Sequence, residues 1–141
     1  MKFLKKVIIS TCLLMTFLTI TAFALSQGQV LFSYNGSGIC DKGAVGSFGF
    51  KNAGNGITVN HSNTSWTTSS GTRDMTISVT KKGVLGYSTY NNQSFTISGV
   101  NSGSKDFWIN DAGTYSLYFR SSNLAYKANI DGNMSWRYGA E

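Results

Sequence analysis

From residue 25 onward several stretches alternate apolar and hydroxyl side chains with a period of two, and none carries the spacing of an amphipathic helix. In Asp74-Met75-Thr76-Ile77-Ser78-Val79-Thr80, Met75, Ile77 and Val79 point one way and the hydroxyl residues the other. Thr114-Tyr115-Ser116-Leu117-Tyr118-Phe119-Arg120 repeats the pattern, with Tyr115, Leu117 and Phe119 on the core side. Successive strand residues face opposite sides of a sheet, so each segment reads as a strand with one buried face. Ser, Thr, Asn and Gly fill the intervals, a mix that favours strands and turns over helices.

Punctuation by Gly and Asn predicts strands near 29–35, 44–51, 56–62, 73–80, 84–90, 93–98, 105–109, 114–121 and 125–138. The turns between them, among them Asn52 to Gly56, Lys81-Lys82-Gly83, Asn91-Asn92 and Asn110 to Gly113, supply residues that tolerate positive φ. The expected fold is all-β: an antiparallel β-sandwich, jelly-roll-like or Ig-like, of about eight or nine short strands. In the last segment Asp131-Gly132 resembles a two-residue turn, but a hairpin there would set apolar Ile130 and Ala128 against Asn133 and Ser135. Read straight through, Tyr126, Ala128, Ile130, Met134, Trp136 and Tyr138 share one side, which predicts one long strand with a bulge or bend at Gly132. Asn60 to Gly71, where Ser and Thr crowd around Trp66, is expected to be a strand end entering a mobile surface loop.

The N-terminus has a different character. Met1-Lys2-Phe3-Leu4-Lys5-Lys6 precedes an apolar run from Val7 to Ile20, and Ala22 and Ala24 form a small-x-small cleavage pattern. Residues 1–24 are therefore expected to be a cleaved secretory signal peptide, the run being shorter than the roughly 20 residues of a spanning helix. Residues 25–141 would form a single exported domain, with no lipid anchor or hydrophobic tail. The net charge of +6 includes Lys2, Lys5 and Lys6, so cleavage removes half of it and leaves a mild, unclustered basic bias. Nucleic-acid binders carry a concentrated basic stripe, which this chain lacks. Cleavage also leaves Cys40 as the sole cysteine, for which a buried, inert thiol is the expected state.

Little here suits catalysis. His61 is the one histidine, Glu141 the one glutamate, and Asp41, Asp74, Asp106, Asp111 and Asp131 complete the carboxylates. No pair of them stands out as a glycosidase dyad, and most sit beside turn residues where aspartate caps its own backbone. A Cys40/His61 couple lacks the helix on which cysteine hydrolases place their nucleophile, and His61 falls in phase with Ile57 and Val59 as a strand residue at the core margin. Asp106, Asn110 and Asp111 offer oxygens to calcium, but loop capping is the favoured account of them, and neither a metal nor a cofactor is expected.

Aromatic residues out of phase with the core are the candidate binding groups. Trp108 alternates against Phe107 and Ile109, Tyr118 shares a polar face with Ser116 and Arg120, and Trp66 lies among hydroxyl residues. A ring among Asn, Ser and Thr suits a sugar, stacking on its apolar face while amides bond its hydroxyls. Ordinary packing under a loop is the alternative for each. The expected function is that of a small secreted, non-enzymatic binding module for a cell-wall or other glycan, using Trp66, Trp108, Tyr118 and Arg120. A membrane-active toxin-like effector and a self-assembling matrix protein are the alternatives.

Overall fold

The computed structural model describes residues 25–139, in which eight strands form where the period-two pattern places sheet. They are β1 (Val30–Ile39), β2 (Asp41–Phe50), β3 (Asn55–Trp66), β4 (Asp74–Gly83), β5 (Gly86–Ser98), β6 (Ser102–Ile109), β7 (Gly113–Ser121) and β8 (Ala128–Tyr138). The expected signal segment lies outside the described residues.

Two four-stranded antiparallel sheets result, in the orders β1-β8-β3-β6 and β2-β7-β4-β5. Only β4 and β5 are neighbours both in sequence and in a sheet; every other connection crosses to the opposite sheet. This is the jelly-roll arrangement, and the Ig-like alternative falls away. The core lies between the sheets, where Ile57, Val59, Ile109, Ile130 and Met134 of the first meet Met75, Ile77, Val79, Tyr115, Leu117 and Phe119 of the second. All of these come from the apolar half of the alternation, so burial follows from the same period that makes the strands.

Four local expectations are corrected. The strand expected to end near residue 62 runs on to Trp66, because His61 and Asn63 point inward and are hydrogen-bonded there, and the surface loop expected within Asn60 to Gly71 begins only after it, at residues 67–73. The strands expected at 84–90 and 93–98 are one, β5, in which Ser78 pairs with Ser94 and Thr80 with Thr89. The extra residues between them bulge out at Asn91 and Asn92, whose φ values are 47° and 53°, while Tyr90 turns into the core. Val84 and Leu85, expected at the start of a strand, are the apex of the β4/β5 hairpin, since Gly83 pairs with Gly86.

The fourth correction concerns β8, which is the single long strand expected. Gly132 is no bulge: it pairs in register with Tyr34 on one side and His61 on the other. A glycine is required by close approach instead. A Cβ there would collide with the Asn60 carbonyl oxygen and the Tyr34 hydroxyl. Cys40 is half-buried at the bend joining β1 to β2.

Candidate functional site

The polar half of the alternation collects on the outer face of the first sheet, and strand register sorts it into rows. Trp108 lies beside Gly56 and Tyr138, and Asp106 beside Thr58 and Ser135. Ser104 lies beside Asn60 and Asn133, and Ser102 beside Ser62 and Asp131. Rows two residues apart are separated by roughly 7 Å, so the four rows make a band about 20 Å long.

The band has an aromatic end. Trp108 is 42% exposed and Tyr138 49%, and their ring centroids are 5.5 Å apart at an interplanar angle of 34°. Trp108 faces outward because its neighbours Phe107 and Ile109 are buried. Tyr138 faces outward against the expected phase, because β8 carries one extra residue at this point: Ile57 pairs with Trp136 but Gly56 with Tyr138. A bulge of this kind re-aims the side chain beyond it. Trp136 stays inside, its indole N–H donating to Asn55 Oδ1 at 3.0 Å. Gly56 is the floor under the exposed tyrosine, for a Cβ there would stand 3.0 Å from the Tyr138 ring.

Polar groups continue from this platform. The Arg137 guanidinium sits 5.4 Å from the Tyr138 ring centre and forms an ion pair with Asp106. Thr58 donates its hydroxyl to the same carboxylate at 2.6 Å. Asn60 donates its amide to Asn133 Oδ1 at 3.0 Å. At the far end a shallow groove of about 390 Å³ is lined by residues that include Ser62, Ser102, Ser104 and Asp131. Asp106 and Asp131 stand two rows apart, roughly 13 Å along the strands. That separation exceeds what either glycosidase geometry uses.

Beneath the groove lies a buried polar chain. Asn63 Nδ2 donates to the carbonyls of Ile97 and Gly99, both at 3.1 Å, so its Oδ1 faces His61 Nε2 at 2.9 Å and accepts from it. His61 Nδ1 then faces the Tyr34 hydroxyl at 3.0 Å, and the same hydroxyl lies 3.0 Å from the Asn60 carbonyl. Burial lowers the His61 pKa, a shift partly opposed by the Asn63 hydrogen bond and by the charge of Asp131. Burial likewise raises the Tyr34 pKa, and Asp131 adds to it. With both ring nitrogens engaged in this chain, His61 is not coupled to Cys40. Asp106 and Asp111 are also held apart, the first by Arg137 and Thr58, the second by Lys81 at 3.3 Å and the Tyr90 hydroxyl at 3.2 Å. Among the described residues no three His, Cys, Asp or Glu side chains gather as metal ligands.

The four residues singled out in the sequence do not form one site. Trp108 is on the band just described. Trp66 ends β3, packs against the core and donates its indole N–H to the Gly99 carbonyl at 2.9 Å. Tyr118 and Arg120 lie on the outer face of the opposite sheet, where the Arg120 guanidinium donates to the Tyr118 hydroxyl at 3.4 Å. A hydrogen bond to Asp41 raises the Tyr118 pKa, and Arg120 opposes it. Tyr118 also borders a hollow of about 240 Å³ with Gly43, Ala44 and Tyr87. Arg137, Asp106 and Tyr138 are not among the binding groups that the sequence points to. Asp106 was accessible from it, two residues before Trp108 on the same strand face, but Tyr138 was hidden by the bulge.

No family model and no curated protein matches the chain. Among solved structures, the CBM22-1 xylan-binding domain from Paenibacillus barcinonensis Xyn10C is similar, with a TM-score of 0.46 and 15% identity over 83% of this chain and 100% of that domain. At that level of likeness it says nothing about what this chain binds.

Proposed function

We propose that the protein is a secreted, non-catalytic module that binds an extended polysaccharide along the outer face of the β1-β8-β3-β6 sheet. One observation carries the reading: Trp108 and Tyr138 stand exposed side by side at the head of a band of amide, hydroxyl and charged groups. Aromatic faces stack on the apolar face of a pyranose, and Arg137, Asp106, Asn60 and Asn133 are placed to bond hydroxyls of sugars further along. The wide spacing of the two carboxylates on the band supports binding over hydrolysis. Secretion rests on the expected signal peptide.

The test is retention on insoluble xylan, cellulose, chitin and peptidoglycan. Trp108→Ala is expected to lower retention at least about tenfold, a loss of roughly 1.4 kcal/mol or more, in line with truncation of a stacked aromatic anchor. Its unfolding midpoint should stay close to wild type, since the ring is exposed. Tyr118→Ala, on the opposite sheet, should leave retention unchanged. Binding to none of the four polymers, or equal losses from both variants, rejects the proposal.

A further inference from the structure

The apex of the β4/β5 hairpin exposes two aliphatic side chains completely. Val84 is 102% and Leu85 103% exposed, whereas the other large apolar residues with notable exposure lie between 42% and 61%. Both occupy a convex turn, framed by Gly83 and Gly86. Two side chains on a point offer far too little area for a stable protein interface, which buries well over a thousand Å². A fluid apolar medium, in contrast, closes around a protruding tip on every side.

The charges at the same end of the sandwich complement one such medium. Lys82 is exposed directly below the tip, and Lys81 is next to it. Lys51, also exposed, follows β2 at the same end: Phe50 pairs with Gly113, and Gly113 abuts Lys81. Against these three cations the described residues at this end include one carboxylate, Asp111, which Lys81 already engages at 3.3 Å. An apolar point flanked by lysines matches the profile of an anionic bilayer, with acyl chains inside and negative headgroups at the rim.

We propose that the Val84/Leu85 tip is a membrane contact, inserting shallowly into anionic lipid while Lys82 and Lys51 meet the headgroups. Insertion stays shallow because the backbone groups of the turn must remain hydrated at headgroup depth. The polysaccharide band faces sideways from this end on the first sheet, so the module would hold a glycan while resting on a lipid surface. The two contacts share no residue, and each can fail without the other.

The experiment is co-sedimentation with large unilamellar vesicles of phosphatidylcholine containing phosphatidylglycerol, against vesicles of phosphatidylcholine alone. It uses the chain from residue 25 onward, which holds all eight strands and the whole core. Preferential binding to the anionic vesicles is expected, weakening as salt rises. The double variant Val84→Asp/Leu85→Asp should bind at least about tenfold more weakly, since two buried aliphatic side chains supply most of the attraction. Lys82→Ala should bind several-fold more weakly. The double variant should keep the wild-type unfolding midpoint and polysaccharide retention, while Trp108→Ala should keep vesicle binding. Absence of sedimentation, or equal sedimentation of the double variant, overturns the proposal. So does a concentration-dependent dimer in light scattering that the double variant abolishes.

Discussion

Replacing Gly132 with alanine would place a methyl group in the most crowded point of the first sheet. Its Cβ would strike the carbonyl oxygen of Asn60 and the hydroxyl of Tyr34, and would lie 2.7 Å from Tyr34 Cζ. The Asn60 oxygen belongs to the backbone of the paired strand β3, so it cannot turn aside. Tyr34 must retreat instead, and its retreat breaks the hydroxyl contacts to the Asn60 carbonyl and His61 Nδ1, each 3.0 Å long. Overpacking costs about 1–3 kcal/mol, and leaving buried polar groups unpaired adds about 1–3 kcal/mol. The reduced freedom of the unfolded alanine chain returns up to about 1 kcal/mol. The net expectation is a loss of about 3 kcal/mol, a large share of the stability of a domain this size.

Urea unfolding followed by tryptophan fluorescence measures this directly, Trp136 being a buried reporter. For a slope of about 1–3 kcal/mol per molar urea, the midpoint should fall by at least about 1 M. Gly49→Ala is the control: it sits on an edge strand, and the nearest atom to its Cβ would be Thr114 Oγ1 at 3.8 Å. It should shift stability by no more than about 0.5 kcal/mol. A Gly132→Ala midpoint equal to that of Gly49→Ala would refute the close-approach explanation.

Other expectations follow from the same structure. His61 has a folded-state pKa below its unfolded value of about 6.5, so the unfolded chain binds the proton first as pH falls. Stability should therefore be complete above that value, decline as pH drops through it, and level off beneath the folded pKa; the single histidine makes the assignment clean, and a slope that persists in His61→Gln would contradict it. Trp66→Phe, which deletes the 2.9 Å bond to the Gly99 carbonyl, should cost about 1 kcal/mol in urea unfolding with no change in polysaccharide retention. Arg137→Ala should do the reverse, lowering retention several-fold while stability moves by less than about 1 kcal/mol, because its ion pair with Asp106 is half-exposed.

Much of the architecture was legible in the sequence because one physical rule wrote it. Met75, Ile77 and Val79, and Tyr115, Leu117 and Phe119, entered the core in the phase their alternation predicts. The long strand β8 was recoverable because folding it at Asp131-Gly132 would have mixed apolar and polar residues on one face. Two of the misreadings share a cause, in that each depended on a partner remote in sequence. Asn63 reads as a loop residue because its hydrogen-bond partners Ile97 and Gly99 lie on other segments, whereas His61 is legible as a strand residue from its phase with Ile57 and Val59. Gly132 looked like a bend because the Tyr34 hydroxyl that excludes a side chain there comes from β1.

By itself, then, the sequence determined that the chain forms half-buried antiparallel strands in two packed layers, since period and burial are local properties of the alternation. It also singled out Trp108 as a ring turned away from the core. Tertiary structure alone decided what stands beside that ring. Register brought Asp106, Thr58 and Asn60 into rows, a one-residue bulge turned Tyr138 outward onto the floor at Gly56, and the opposite sheet carried Tyr118 and Arg120 away. It also placed Val84 and Leu85 at an apex where local propensity would have begun a strand. A side chain's direction can be read from its immediate neighbours, but its company across a sheet depends on pairing between distant segments.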